Sequence, residues 1–382
     1  MKKKICIITG TRADYGHLAP VMKAIRQNHH LELQVVATCM HLMKEFGHTI
    51  DEIRKDGFRI NASVDVSYQE DSGKAMAISV GKGIIGMAEV FNRIKPDLVL
   101  VLGDRGEMLA AAIAANYLNI PVAHLHGGEI TGHVDGIVRH AITKLSHLHF
   151  PATKGTRDRI IRLGEEPWRV KDVGAPTLDK ILWEKLPGEK ELRHCYSLGE
   201  KDKFFLVVQH PVSTDVAIAG KQMIVTLDAA GSFGIKTLLI YPNADAGGRA
   251  MIREIIKRYR SPNLMAYKSL PHQDFLGLMK IASVLIGNSS SGIIEAPSFK
   301  LPVVNVGTRQ AGRERGCNVI DVPHEKSAIV RAVNKALYDK KFIGGVKQGQ
   351  NPYGDGRASQ RIVKVLSAVK LSPQLLQKKI TY

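Results

Sequence analysis

Short, predominantly apolar runs that stop at or near a glycine or a polar residue recur along this chain of 382 residues. Ile5 to Gly10, Leu33 to Ala37, Asp97 to Leu102, Pro121 to His126, Phe204 to Val208, Thr237 to Tyr241 and the run opening at Leu285 are of this kind. A strand that is apolar on both faces must be covered on both faces, which is the condition of a parallel sheet sandwiched by helices. Between the runs the apolar residues take helical spacing, predicting helices from about Leu18, near Thr49 to Lys55, over Gly73 to Ile94, after Gly106, over Asp135 to His147, over Lys154 to Leu163, to Ala230, to Tyr259, from about Gln273 and over Ala358 to Val369. Repeated strand–helix units of this kind fold as doubly wound α/β sheets, with ligands at the carboxyl ends of the strands.

The length exceeds the ~250–300 residues at which one core stops growing, so two domains are expected. From Leu186 to Lys203 the alternation lapses into charged and turn-forming residues, which reads as a surface linker. The expected division is 1–178 and 179–354, with 355–382 packing back on the first domain: two Rossmann-like domains facing across a cleft. No run approaches the ~18 apolar residues of a membrane helix, and Met1-Lys2-Lys3-Lys4 leads straight into a strand, so a cytoplasmic protein is expected. Cys6, Cys39, Cys195 and Cys317 have no metal-binding spacing and read as buried, reduced thiols. A formal charge of +18 raises the question of nucleic acid. The basic residues are spread along helices among acids and match no nucleic-acid module, so the field is read as drawing in an anionic small molecule.

The polar residues fall where this architecture puts a site. Arg12, Asp14, Asp104, Arg105, His126, Glu129, His210, Asn243 and Ser289 each follow the end of a predicted strand. In Leu285 to Gly316 a strand breaks at Gly287-Asn288, and Ser289, Ser290 and Ser291 lead into an apolar helical segment. Hydroxyls and free N–H groups meeting there suit phosphate, Glu295 a turn later suits a sugar hydroxyl, and Arg309 offers a second anion contact. Ordinary helix capping is the alternative. The loop after Ile8 lacks GxGxxG, which argues against a dinucleotide. Asp135 and Arg139 are spaced i,i+4, compatible with a site pair or a surface ion pair. His124 and His126 near Glu129 admit a metal, but no further ligands stand at zinc spacing, and neither metal nor cofactor is expected.

Together these motifs carry a resemblance. GTRADY at Gly10 to Tyr15, GDR at Gly103 to Arg105, HGGE ending at Glu129 with Asp135 and RHAITKLSH, QHP ending at Pro211, YPNADAG, GNSSSG with Glu295, GTRQAGRERG and the late YGDG resemble the hydrolysing UDP-N-acetylglucosamine 2-epimerases of sialic-acid synthesis, in register from Thr9 to about Lys370. The resemblance implies the glycosyltransferase-B arrangement of two domains, no metal, a homo-oligomer (dimer or tetramer), and conversion of UDP-GlcNAc to N-acetylmannosamine and UDP. It implies catalytic roles among Asp104, His126, Glu129, Asp135 and His210. Contacts to UDP or sugar are implied for Arg12, Asp14, His17, Arg105, Arg139, Asn243, His272, Ser289, Ser290, Glu295 and Arg309. The chain has His126 where HIEGGE has glutamate, and His17 where the animal members have lysine. Related enzymes acting on UDP-N,N'-diacetylbacillosamine, on the legionaminic-acid route, are the alternative, and a metal-independent glycosyltransferase of the same fold is a more distant one.

The chemistry asks for these residue types. The C2–H of the sugar becomes acidic only as the C1–O bond breaks and C1 gains oxocarbenium character, so carboxylates must lie close to the ring. His126 or Glu129 would serve the opposite face when water adds to the glycal.

Overall fold

The computed structural model describes residues 2–67, 72–130, 133–183, 185–212, 214–243, 245–258 and 263–382. It holds two six-stranded sheets, and every ladder pair between their strands is parallel. The first comprises β1 (Lys3–Thr9), β2 (Leu31–Thr38), β3 (Ala62–Val64), β4 (Leu98–Leu102), β5 (Val122–Leu125) and β6 (Leu148–Phe150), in the order β3-β2-β1-β4-β5-β6. The second comprises β7 (Phe204–Val208), β8 (Lys236–Ile240), β9 (Leu264–Tyr267), β10 (Val284–Gly287), β11 (Val303–Val306) and β12 (Val319–Val322), in the order β12-β11-β10-β7-β8-β9. Counted within its own sheet, the second repeats the order of the first. Each sheet therefore has one switch point, β1/β4 and β7/β10, where crossovers leave to opposite sides and a crevice opens beyond the strand ends.

Alternation along each strand sends side chains into two separate cores. Ile5 and Ile7 face the helices Arg12–Gln27 and Ala358–Ala368, whereas Cys6 and Ile8 face Gly73–Ile94 and Gly106–Tyr117. In the second sheet Phe205 and Val207 pack under Ala219–Gly231, Gly248–Arg258 and Lys326–Tyr338, and Phe204 and Leu206 under His272–Ile281. Ala152, Ala175, Leu178, Ile293, Ile294 and Tyr353 form a smaller cluster between the halves.

The C-terminal stretch crosses back. Ile362, Val363, Leu366 and Leu375 are buried in the core built on β1. Cations fasten it by capping carbonyls that the helices leave open. Lys3 donates to the carbonyls of Leu366, Ser367 and Val369; Arg169, fully buried, to those of Gln374, Leu375 and Gln377; Lys378 to that of Lys144. Part of the chain's excess positive charge is thus spent inside the fold.

Four expectations need correction. Thr11 to Gly16 is not a loop: the helix begins at Arg12, because Thr11 and Asp14 form a capping box. Leu186 to Lys203 is not a linker: it contains the helix Glu189–Cys195, whose charged face is solvated while Leu192, Tyr196 and Leu198 enter the second core. The helix after the serines is one turn, Ser291–Ile294, because Pro297 turns the continuation into a tighter 3-10 segment, Ala296–Phe299. Cys6 is buried as expected, but Cys195 and Cys317 are exposed. Tyr259, the expected end of the helix after Asn243, and Ala244 of YPNADAG lie outside the described residues. Among the described residues no helix is long and apolar enough to cross a membrane.

Candidate active site

The strand ends of both sheets converge on one cavity of about 690 Å³ between the halves. Fifteen of the sixteen residues expected from the sequence line it, and the sixteenth, Glu129, is bonded to His126, which does; the exceptions in role are instructive. On the side of the second sheet the wall begins at Gly287, whose φ of +129 turns β10 sharply against Val208. Asn288, buried, follows and clasps the QHP turn, its Oδ1 accepting from the N–H of His210 at 2.7 Å and its Nδ2 donating to the carbonyl of His210 at 2.9 Å. Ser289, Ser290 and Ser291 then face the cavity with Arg309, whose guanidinium also reaches the Asn288 carbonyl. The Ser290 hydroxyl makes no capping bond to the helix it precedes, so it is available to a ligand.

His210 is placed as a hydrogen-bond donor toward the cavity. Its Nδ1 accepts from the Asn243 N–H at 3.1 Å, which puts the ring proton on Nε2. Burial, then Arg309 and Arg105, hold its pKa well below the usual imidazole value. The ring is therefore neutral, with its remaining N–H suited to an anion. Asn243 contributes through its backbone, since its side-chain amide binds Asp245.

The first sheet supplies the carboxylates. Asp104, after β4, is bonded to Nη2 of Arg139, whose side chain is 2 % exposed and whose Nη1 donates to the His126 carbonyl at 2.7 Å. Arg139 thus fastens two site residues together and is not free to hold a phosphate. Asp135 does not pair with Arg139 across one helical turn; its nearest cation is Arg309 of the opposite wall, at 3.5 Å. Burial first, then the neighbouring Asp104, push its carboxyl up to about 6. Two carboxylates in one pocket, one clamped by an arginine and one raised, is the pattern expected of a divided acid–base task.

A polar chain crosses the cavity floor. Glu295, 2 % exposed, pairs with His17 at 3.3 Å, and the His17 ring lies edge-on to that of His126, centroids 5.2 Å apart. His126 sits at φ +58, a left-handed conformation that costs a non-glycine residue roughly 1–2 kcal/mol. Its Nδ1 is 2.7 Å from Oε1 of Glu129, and its buried Nε2 has no hydrogen-bond partner among the described residues. Burial would raise Glu129, but Arg313 and His126 overcome it and hold the carboxyl well below the usual range. Burial pushes Glu295 up to about 7.

Three expected ligands are engaged elsewhere. Asp14 accepts from the Thr9 hydroxyl and from the N–H groups of Gly10 and Thr11, so its carboxylate closes the β1 turn. Arg105 spans the halves, with Nε on Glu107 at 2.7 Å and Nη1 on Asp245 at 3.3 Å. Arg12 binds Glu52 through Nε at 2.7 Å and keeps a buried Nη1 without a hydrogen-bond partner among the described residues. His272 reaches the cavity because Gly16 makes room: a Cβ there would lie 2.4 Å from its ring. His124 is a strand histidine, bonded to the Gly103 carbonyl at 2.7 Å and near the Thr143 hydroxyl. Among the described residues no group of three or more His, Cys, Asp or Glu side chains is placed to hold a metal ion.

Arg313 was not singled out in the sequence. It projects from the β11–β12 connection to Glu129, 2.6 Å away, with a side chain only 6 % exposed. The signal available was the crowding of GRERG with arginine and glycine, which by itself reads as surface.

Fold and site together define a class: a two-domain Rossmann-like protein with hydroxyl and arginine donors suited to an anion on one wall of its cleft and carboxylates and imidazoles on the other. The family described as UDP-N-acetylglucosamine 2-epimerase matches residues 23–367. The chain is 43 % identical to the hydrolysing UDP-N,N'-diacetylbacillosamine 2-epimerase of Legionella pneumophila over 99 % of both chains, and 37 % identical to the polysialic acid biosynthesis protein P7 of Escherichia coli over 95 % of this chain and 93 % of that one. The crystal structure of the UDP-GlcNAc 2-epimerase from Neisseria meningitidis, bound to UDP-GlcNAc, superposes with a TM-score of 0.80 over 95 % of this chain and 99 % of that one, at 20 % identity. This chain belongs to the UDP-N-acetylglucosamine 2-epimerase family.

Proposed function

We propose that the protein is a hydrolysing 2-epimerase that converts UDP-GlcNAc to free N-acetylmannosamine and UDP through a 2-acetamidoglucal. The observation that carries this reading is the meeting of Asp104 and Asp135 from one half with Ser289, Ser290 and Arg309 of the other in one cavity. Uridine diphosphate is held on the serine and arginine wall, with the His210 Nε2–H donating to the leaving pyrophosphate. Asp104, ionised and fixed by Arg139, stabilises positive charge at C1, and Asp135 takes the C2 proton. His126 presents Nε2 for the return of a proton on the other face; Glu129 orients that ring and is too fully engaged to shuttle a proton itself.

A second reading has support of its own. The apolar side chains Met40, Met76, Val80, Leu109 and Val138, all from the first half, line the same cavity. They suit the methyl at C6 and the acetyl at C4 of UDP-N,N'-diacetylbacillosamine, the substrate in the name of the relative at 43 % identity. Incubating the enzyme with each sugar nucleotide in D₂O tests both readings. The preferred substrate is expected to yield free sugar with the manno configuration and one deuterium at C2. Product that keeps its C2 hydrogen or the gluco configuration would reduce the enzyme to a plain nucleotide-sugar hydrolase.

The nucleotide wall makes a separate prediction. Ser290→Ala is expected to raise KM about tenfold, the worth of one hydrogen bond to a charged group, with kcat nearly unchanged. Steady-state kinetics check it, and a loss confined to kcat would remove Ser290 from ground-state binding.

A further inference from the structure

We propose that Arg313 is a positioning residue for the acid–base pair His126–Glu129, delivered across the cleft by the half that binds the nucleotide. Glu129 and His126 stand at the end of β5 in the first half, whereas Arg313 stands on the connection between β11 and β12 in the second. Its Nη2 is 2.6 Å from Oε2 of Glu129, while Oε1 of the same carboxylate meets His126 Nδ1 at 2.7 Å. One oxygen of the carboxylate is thus hydrogen-bonded to the imidazole and the other is ion-paired with the guanidinium, and the imidazole it orients keeps a buried Nε2 without a partner among the described residues.

The connection that carries Arg313 is itself anchored, by Thr153 and Ile130 of the first half and by Tyr353 of its own half. Glu314, the next residue, accepts from the Thr153 hydroxyl at 2.8 Å, and its carbonyl accepts from the Tyr353 hydroxyl at 2.8 Å. Gly312, the residue before, has φ +80 and passes so close to Ile130 that a Cβ would lie 2.7 Å from its side chain. Backbone held on both sides aims the guanidinium at one place. The forked donor set matters because Nη2 can stay on Glu129 while Nε and Nη1, buried and without hydrogen-bond partners among the described residues, remain on a side chain that lines the cavity. A lysine has no such second edge. Since the contact spans the halves, the pair is complete only when the cleft is closed, which couples closure on the nucleotide to the acid–base step.

The inference rests on the reaction proposed above, and its test separates the two. The charged and titratable groups around the pair are Arg139, at 3.8 Å from Glu129, and Glu295, His17, Tyr353 and Arg313. In R313M, kcat is expected to fall on the order of 10²-fold with KM and UDP affinity little changed. Its Glu129 loses the neighbouring cation, so the carboxyl titrates at higher pH. The ¹⁵N signals of His126, identified by their loss in H126Q, are expected to respond to that titration. R313K is expected to recover part of kcat. A kcat equal to wild type, a loss that appears as weaker UDP binding, or His126 signals unmoved in R313M would overturn the assignment. If R313M does not fold, R313K decides alone: about a tenfold loss of kcat with displaced His126 signals supports the proposal, and wild-type values in both overturn it. The spectra are recorded with UDP bound and need no turnover, so Arg313 is judged even if neither sugar nucleotide is turned over, an outcome that would instead defeat the proposed reaction.

Discussion

Asp135→Asn is expected to lower kcat by at least ~10²-fold while leaving KM nearly unchanged, because the side chain is assigned to proton transfer and not to nucleotide binding. The pH profile gives the loss its signature. With the carboxyl raised to about 6, Asp135 is ionised and competent as a base above that value, and kcat/KM of the wild type should fall as pH drops through it. An asparagine does not titrate, so the acid limb should vanish in the variant. An acid limb that survives at the same pH would assign the base elsewhere. Asp104→Asn should match the loss in kcat but differ in stability. It strips Arg139, 2 % exposed, of the nearer of its two anionic partners, which costs about 3 kcal/mol or less given that Asp104 is 19 % exposed and Glu129 remains 3.8 Å away. Thermal melting of the two variants side by side separates a charge that acts on substrate from one that also holds the wall together.

Gly287→Ala is expected to be the most destabilising single methyl at the site, by about 3–5 kcal/mol. The residue has φ +129, and a Cβ there would stand 2.1 Å from the Val208 carbonyl oxygen and 3.2 Å from the Gln209 nitrogen, both backbone atoms that cannot swing aside. The β7–β10 ladder would have to open at the point where Asn288 clasps His210, so UDP binding should fail with the fold. Gly344→Ala is the control, since a Cβ there meets nothing within 4 Å and lies inside the helix Lys340–Gln348, where alanine gains roughly 0.5–1 kcal/mol. Equal melting temperatures for the Gly287 variant and wild type would show that the turn relaxes without cost.

The contrast between strands shows what was legible in the sequence. β4 and β7 are apolar at every position because both their faces are covered, and their ends could be read directly. β12, with the sequence VIDV, lies at a sheet edge and is only partly covered, so its pattern carries no such statement. The helix Glu189–Cys195 was missed for a related reason, as a seven-residue helix with one buried leucine offers too little period to stand out from a linker. At the site, residues following strand ends were legible because topology puts them there. What each one binds was not, because it depends on partners distant in sequence: Arg105 is claimed by Asp245, Arg139 by Asp104, and Glu129 by Arg313. Asp14 is the exception, since Thr11 and Asp14 already spell the capping signature that its carboxylate obeys.

The crossing-back of the C-terminal stretch bears on the order in which the molecule can be made. β1 is among the first segments synthesised, yet the core against it includes Ile362, Val363 and Leu366, and Lys3 waits for carbonyls of residues 366, 367 and 369. All six strands of the second sheet lie between Phe204 and Val322, so that sheet has every strand it needs before the helix Ala358–Ala368 exists. Domains usually fold as units in the order of synthesis. Here translation meets the reverse: the half begun first is the half sealed last, and its exposed β1 face must be tolerated for as long as the ribosome takes to build the other.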